Sequence, residues 1–255
     1  MTLNDNAWTL HAGVGVLRVG ALCGRVDVSH PELGVHDARL SGRTLADRLL
    51  CVCRAADAAG ESKPGWPLPI ADAYVRGNDL VASYQPTNDW PYSPQIYWRA
   101  NTLASIDGVI GSLSLLVSVQ TNLLDTWPRI GVGSRLACNE ALYVPPSREK
   151  NARAESLTRD RTIDPSAGDC CIVRRLAELP LSYVEIMPAS DFRKLDVCRE
   201  GGGWRVRWEV FGEFLEKGVI RRARLQSAFL RREDDLQIAT ACCEAMEQSS
   251  LPLTV

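Results

Sequence analysis

Residues 68–99 read LPIADAYVRGNDLVASYQPTNDWPYSPQIYWR, and this stretch decides the fold class. Two apolar runs, 73–76 and 80–85, flank a turn at 77–79, where Gly and Asn accept the positive φ of a tight hairpin turn. A loop held by prolines follows, and a third run occupies 95–99. The stretch therefore predicts a β-hairpin, a stiffened loop and a further strand.

Alternation of apolar and polar residues predicts strands in much of the remaining chain. Residues 112–120 alternate as a one-sided strand, and Trp204, Val206, Trp208 and Val210 give the clearest alternation. A turn follows each of these two runs and is followed by another apolar run, so each run is predicted to be the first strand of a hairpin. The predicted strands outside the opening stretch are two within 8–28, then 112–120, 130–136, 141–144, 170–176, 181–187, 204–210 and 223–229.

Two stretches with apolar residues at helical spacing, 44–59 and 234–248, predict amphipathic helices. Thr44 is a suitable cap for the first helix, and Asp234 and Gln237 have the spacing of a capping box in the second. The pattern as a whole predicts an α+β fold, which is mainly antiparallel β-sheet with the two helices packed on one face.

The segment 147–169 is polar, with many charges of both signs and almost no apolar residues. It cannot bury enough surface to offset the entropy of ordering, so it predicts an exposed loop or linker. This places an N-terminal α+β half at 1–146 and a C-terminal α+β half at 170–255. A strand followed by a capped helix occurs in both, which suggests two similar halves. One single domain over 1–255 is the alternative, since 45% hydrophobic residues suffice for one core.

Composition limits the compartment and the partners. The 29 basic and 31 acidic residues nearly cancel, so the overall charge gives no attraction to nucleic acid or to an anionic membrane. The N-terminus lacks the pattern of a signal peptide, and no apolar run is long enough for a membrane span. We therefore expect a soluble cytoplasmic protein with no membrane partner, for which nucleic acid is an unfavoured partner.

Cysteine usage argues against disulfides and metal. Nine cysteines are an odd number, and two pairs are sequence neighbours, which indicates reduced thiols. Cys51 and Cys53 lie in the predicted first helix, where residues two apart point in different directions. The sequence thus predicts no metal site and no cofactor.

The first candidate site is a ligand-binding loop between two predicted strands. Asn88, Asp89, Trp90 and Tyr92 lie in it, and Asp79 lies in the neighbouring turn. Exposed aromatic rings beside carboxylates and amides are suited to stack on a sugar or a base and to bond its polar rim. Alternatively, the two rings fold back over the end of a sheet and Asp89 makes a local turn bond.

The second candidate site is an anion-binding sheet face. If Trp204 and Trp208 point inward, then Arg205 and Arg207 point outward, and Arg222 and Arg224 on the predicted partner strand join them. Four guanidinium groups on one face suit phosphate or an acidic partner. The alternative is a solvated face neutralised by nearby glutamates.

No stretch matches a catalytic motif, and the three histidines have no recognisable spacing to a nucleophile. The favoured hypothesis is a non-catalytic binding or assembly protein that uses a sheet face or the aromatic loop to engage a protein partner or a second copy. One alternative is a carboxylate-dependent enzyme acting on a polar small molecule or glycan. Another is phosphate or nucleic-acid binding through the arginine face. Whether the protein is an enzyme stays open at this stage.

Overall fold

The computed structural model of the protein describes residues 6–45, 48–55, 68–100, 102–145 and 154–249. These residues form nineteen strands, two short 3₁₀-helices and one α-helix, α1 (Asp235–Gln248). The strands in chain order are β1 (Trp8–His11), β2 (Val14–Val19), β3 (Leu22–Asp27), β4 (His36–Leu40), β5 (Arg43–Thr44), β6 (Arg48–Arg54), β7 (Ile70–Arg76), β8 (Asp79–Tyr84), β9 (Tyr92–Ala100), β10 (Val109–Thr121), β11 (Arg129–Leu136), β12 (Cys138–Val144), β13 (Glu155–Ser156), β14 (Arg161–Ile163), β15 (Cys170–Leu176), β16 (Leu181–Met187), β17 (Phe192–Glu200), β18 (Gly203–Phe211) and β19 (Ile220–Arg231).

The strands form three antiparallel sheets. The first sheet has five strands in chain order, β1-β2-β3-β4-β5. The large sheet has nine strands in the order β13-β12-β15-β16-β19-β10-β9-β8-β7, and the third sheet has five in the order β14-β17-β18-β11-β6. The fold is therefore mainly antiparallel β, as predicted, but with one helix among the described residues instead of two.

The opening stretch forms the predicted hairpin. Arg76 pairs with Asp79, and Gly77 between them has a φ of 57°, a value that suits glycine. After the proline-rich loop, β9 pairs with β8 and then with β10, which places the stretch in one half of the large sheet.

The main core lies between the large sheet and the other two sheets. Trp98 on β9 is fully buried and donates from Nε1 to the carbonyl of Leu50 at 3.3 Å. Tyr84 on β8 donates its hydroxyl to the carbonyl of Val28, beyond the end of β3, at 2.7 Å. One face of the large sheet, the inner face, therefore packs on both smaller sheets, and the opposite face is called the outer face below.

Helix α1 packs on the outer face over β15, β16 and β19. Its buried stripe contacts the apolar residues that these strands direct outward. Asp235 at its start binds Arg175 on β15 and accepts a hydrogen bond from the hydroxyl of Ser182 on β16. The helix was predicted correctly, but Asp234 makes no capping hydrogen bond through its side chain, so the predicted capping box does not form.

The prediction of a helix over 44–59 is wrong where the structure describes it. Thr44 ends β5, residues 48–54 form β6, and β6 pairs with β11. Leu50 has a φ of 53° and the register shifts near it, so Leu49 and Leu50 are both buried although they are consecutive. This irregularity breaks the period of two and produces the apparent helical spacing. Residues 46–47 and 56–59 of the predicted helix lie outside the described ranges.

Both predicted long hairpins are also wrong, although their strands exist. Strand β10 pairs with β9 and β19, whereas β11 pairs with β18 and β6 in the third sheet. The chain therefore crosses from the large sheet to the third sheet between β10 and β11, and it crosses from the third sheet to the large sheet between β18 and β19. Strand β10 is not one-sided either, because Ser112 and Ser114 on its polar side are buried.

The remaining differences concern strand number and domains. Residues 8–28 hold three strands instead of two, and β17 lies in a stretch for which no strand was predicted. Within 147–169 the described part contains the short strands β13 and β14, and residues 147–153 lie outside it. Strands from both sides of this segment belong to the large sheet. The division at 1–146, 147–169 and 170–255 stays a prediction, and the helix expected in the first half is not among the described elements.

Candidate functional site

The candidate site lies on the outer face, beside the part that α1 covers. On β8, β9, β10 and β19 the inward residues belong to the main core, so their neighbours along each strand point outward. These outward residues are mostly polar, in contrast to the apolar patch under α1. They are Asp79, Val81, Ser83, Gln95, Tyr97, Arg99, Ser114, Leu116, Ser118, Gln120, Arg222, Arg224 and Gln226.

Strand register aligns four polar side chains in one row across the outer face. Ser83 on β8 pairs with Gln95 on β9, Gln95 pairs with Ser118 on β10, and Ser118 pairs with Arg222 on β19. Opposite residues in antiparallel strands lie about 5 Å apart at Cβ, close enough for the row to contact one small ligand.

Hydrogen bonds fix the orientation of Gln95 in this row. The hydroxyl of Tyr97 donates to Gln95 Oε1 at 2.5 Å, and Gln95 Nε2 donates to Ser83 Oγ at 2.8 Å. Tyr97 is largely buried, and burial raises the pKa of its phenol, so the hydroxyl keeps its proton at neutral pH. An amide has two donor hydrogens and two acceptor lone pairs. Gln95 therefore still offers one N–H donor and one acceptor lone pair to a ligand.

A pocket of about 330 Å³ opens over this row. That volume falls in the range of small-molecule sites. The lining combines hydroxyl and amide groups with small apolar surfaces. Its residues are Ala71, Ser83, Tyr84, Gln85, Pro86, Ser93, Pro94, Gln95, Tyr97, Ser118, Gln120, Ile220 and Arg222, and we call it the outer-face pocket.

Two further arginines on the outer face have structural partners. Arg99 forms a bidentate ion pair with Asp79, and the hydrogen bond to Asp79 raises the pKa of Arg99. Arg224 donates to Ser249 Oγ at 2.7 Å and to the carbonyl of Met246 at 3.2 Å, which ties the end of α1 to β19. Burial lowers the pKa of Arg224.

The residues of the predicted aromatic loop do not gather into one site. Asn88 and Asp89 are exposed, whereas Trp90 is fully buried and Tyr92 is half-buried against it, with ring centroids 4.8 Å apart. The two rings therefore fold back over the sheet, which was the alternative interpretation. Asp79 begins β8 and Asp89 follows its other end, so the structure does not pair these carboxylates.

The four predicted anion-binding arginines belong to two different sheets. Arg205 and Arg207 lie on β18 in the third sheet, where Arg205 pairs with Glu200 at 3.2 Å and Arg207 donates to the carbonyl of Arg54 at 3.1 Å. Arg222 and Arg224 lie on β19 in the large sheet, because the predicted hairpin does not form. Only Arg222 of the four lines the outer-face pocket.

Sequence analysis did not select Gln95, Tyr97 or Ser118 as site residues. For Ser118 the signal was the polar side of the alternation at 112–120, which was interpreted as a one-sided strand, and Gln95 and Tyr97 lie in the predicted strand 95–99. That Ser118 lies between Gln95 and Arg222 follows from strand order, which the local pattern does not contain.

An apolar rim of exposed side chains lies beyond the pocket, on the segments after β10 and before β19. Trp127 and Phe214 contact each other with ring centroids 5.5 Å apart, and Leu124 is 77% exposed. Ile220 belongs both to this rim and to the pocket lining.

Within the described ranges, no group of three or more His, Cys, Asp or Glu side chains is arranged to hold a metal ion. Cys51 and Cys53 lie on a strand and not on a helix, so they share one face, contrary to the prediction, and burial raises the pKa of both thiols. No helix within the described residues has the length and hydropathy needed to cross a membrane.

Comparison with known proteins places the fold. No family model and no curated protein sequence matches the chain. A galactose mutarotase-like protein from Lactobacillus casei has a similar structure, with a TM-score of 0.52 and 9% identity over 85% of this chain and 100% of that one. A proposed aldose 1-epimerase from Klebsiella pneumoniae has a TM-score of 0.50 and 8% identity over 96% of this chain and 90% of that one.

A third similar structure is the GH36 alpha-galactosidase AgaB from Geobacillus stearothermophilus, with a TM-score of 0.49 and 9% identity. The match covers 88% of this chain but 41% of that enzyme, so the chain spans less than half of its length. At such identities the likeness concerns architecture, since one fold can carry many functions. The chain has a galactose mutarotase-like β fold.

Proposed function

We propose that this protein is a carbohydrate-active protein whose sugar ligand lies in the outer-face pocket. The observation that carries the proposal is the fixed amide of Gln95, held between Tyr97 and Ser83 in the middle of the pocket. It refines the hypothesis of action on a polar small molecule or glycan and moves the site away from the aromatic loop.

The chemistry of the lining supports a sugar. Each sugar hydroxyl both donates and accepts a hydrogen bond, so a sugar site needs donors and acceptors side by side. Gln95, Ser118 and Gln120 supply both kinds on adjacent strands. Ile220, which is half exposed, adds apolar surface for the C–H face of a pyranose ring.

The fold likeness supports the same ligand class. The two structures that match over most of both chains are named as a galactose mutarotase-like protein and as a proposed aldose 1-epimerase. Because the identities are 8% and 9%, this support concerns the ligand class and no particular sugar.

Binding of free sugars tests the proposal. Titration calorimetry with glucose, galactose and mannose should show binding of at least one of them. Gln95→Ala should weaken it by about tenfold, the loss expected for about 1.4 kcal/mol of hydrogen bonding. Asn88→Ala, in the exposed part of the aromatic loop, is the matched control and should bind as the native protein does. Absence of binding, or an equal effect of both variants, would overturn the proposal.

Catalysis on the bound sugar is a second candidate, and the Tyr97 hydroxyl favours it. This hydroxyl lines the pocket at a position fixed by its hydrogen bond to Gln95, and a sugar oxygen that replaced Gln95 as its acceptor would lie beside a group able to transfer a proton. Polarimetry of anomer interconversion would then show acceleration over the spontaneous rate. Tyr97→Phe should lower the rate of interconversion by a larger factor than it weakens binding. Native protein that binds a sugar without accelerating its interconversion is a binding protein instead.

A further inference from the structure

Arg222 is the feature of the outer-face pocket that a neutral sugar leaves unexplained. Among the described residues that line the pocket, Arg222 alone is charged. It lies near the Tyr97 phenol, and its positive charge acts to lower the pKa of that group. The pocket therefore has a positive charge with no acidic residue in its described lining.

The guanidinium of Arg222 is also incompletely satisfied. Its Nε is buried and has no hydrogen-bond partner, and the described residues form no ion pair with it. The described residues also give this guanidinium no carboxylate acceptor, so an anionic group supplied by a ligand would compensate its charge. Gln95 and Ser118 lie in the same row of the sheet.

The acidic residues that line a neighbouring cleft together with Arg222 are already engaged with other groups. Glu213 binds Arg193 and, at 3.1 Å, Arg221. Asp191 accepts from the backbone amide of Arg224 at 2.9 Å and from its neighbour Ser190 at 2.7 Å. These carboxylates border the cleft on the other side of Arg222, which leaves Arg222 as the surplus charge.

We propose that the outer-face pocket selects a sugar that carries an anionic group, with that group on Arg222 and the ring hydroxyls on Gln95 and Ser118. The inference rests on the proposed function. A guanidinium binds carboxylate, phosphate and sulfate through paired N–H donors, so these three groups share the required chemistry. The sequence-based expectation of an anion site is thereby reduced from four arginines to one.

Matched pairs of ligands test the inference. Affinities of glucose, glucuronate, glucose 6-phosphate and glucose 6-sulfate for the full chain are measured by calorimetry at 50 and 500 mM salt. At least one anionic sugar should bind about tenfold or more tightly than glucose at low salt, and this advantage should shrink at high salt. The three anionic ligands distinguish carboxylate, phosphate and sulfate as the natural group.

Variants then assign the effect to Arg222. Arg222→Gln should weaken the anionic sugar about tenfold more than it weakens glucose, whereas Arg222→Lys should keep part of the preference because the charge remains. Arg221→Gln is the control, since Arg221 is exposed and pairs with Glu213. Circular dichroism checks that each variant is folded.

The outcomes separate the two proposals. If glucose binds and no anionic sugar binds better, or if Arg222→Gln weakens glucose and the anionic sugar equally, the anionic inference fails and the sugar site stands. If no sugar of either kind binds, the proposed function fails. If inorganic phosphate alone binds as tightly as glucose 6-phosphate, the pocket is an anion site and the sugar assignment is overturned.

Discussion

Arg99 holds Asp79 in a bidentate ion pair on the outer face, with Nε 2.6 Å from Oδ1 and Nη2 2.7 Å from Oδ2. Both carboxylate oxygens are occupied, and the Asp79 side chain is only 6% exposed. Asp79 is therefore a structural partner of Arg99. The same pair neutralises Arg99, whereas Arg222 forms no ion pair with the described residues.

The structural role of Asp79 predicts a loss of stability when its charge is removed. Asp79→Asn should lower the free energy of unfolding by about 1–2 kcal/mol, because Arg99 loses a charged acceptor but keeps some contact with water. Asp89→Asn should change it by less than about 0.5 kcal/mol, since Asp89 is exposed. Urea unfolding measures both. Loss of sugar binding by Asp79→Asn at native stability would show a functional role instead.

Packing between the large and third sheets gives a second prediction. Trp98 is fully buried and reaches β6 through its indole nitrogen, so Trp98→Ala should cost about 3–5 kcal/mol. Trp127 is 58% exposed on the apolar rim, and Trp127→Ala should cost less than about 0.5 kcal/mol. Thermal unfolding compares the two variants. If Trp98→Ala does not fold, Trp98→Phe should still fold at reduced stability, and equal costs at both positions would contradict the layer arrangement.

Local sequence signals predicted the elements whose cause is local. The hairpin at Gly77 needed only a residue that tolerates positive φ, and the alternation at Trp204 and Trp208 needed only one buried face. Helix α1 is amphipathic along its own length. The same kind of signal failed at Leu50, because a bulge that depends on pairing with β11 places two consecutive residues in the core.

The candidate site depended on information that alternation does not carry. A period of two tells which residues share a face, but it does not tell which sheet a strand joins. Arg207 and Arg222 looked like neighbours because a hairpin is the simplest connection between their strands. The chain instead passes from one layer to the other between them, and Arg222 then meets Ser118 on β10. Which residues line the pocket therefore depends more on strand order than on residue type.

The start of α1 makes stability dependent on pH. Burial alone would raise the pKa of Asp235, but the hydrogen bonds from Arg175 and Ser182 outweigh it, and the pKa is lowered. Since the pKa of Asp235 is lower in the folded state, this carboxylate stabilises the fold at pH values above its pKa in the unfolded chain, which is about 3.9. The contribution disappears as the pH falls through the pKa of the folded state.

Removing this carboxylate should flatten the acid part of the stability curve. Asp235→Asn should lower the free energy of unfolding at pH 7 by about 2 kcal/mol and should lose less further stability between about pH 5 and pH 2 than the native chain. Asp234→Asn is the control, because this neighbour is exposed and caps nothing through its side chain. Denaturant unfolding at a series of pH values measures the slopes, and parallel slopes for Asp235→Asn and the native chain would refute the assignment.

A buried ion pair between the layers gives the last prediction. Arg174 and Glu185 are both 0% exposed, with Nη2 and Oε2 3.0 Å apart, and Ser134 on β11 donates to Glu185. Glu185→Ala should cost about 3–5 kcal/mol, because it leaves the Arg174 charge buried without compensation. Replacing both residues, as in Arg174→Met with Glu185→Leu, should cost clearly less than the single change, since no charge then remains to be desolvated.

The exposed pair of Arg129 and Glu209 is the reference, and Glu209→Ala there should cost less than about 1 kcal/mol. Chemical unfolding of all four proteins decides the matter: a double variant less stable than Glu185→Ala would mean that the pair itself, and not the avoidance of a lone buried charge, stabilises the layers.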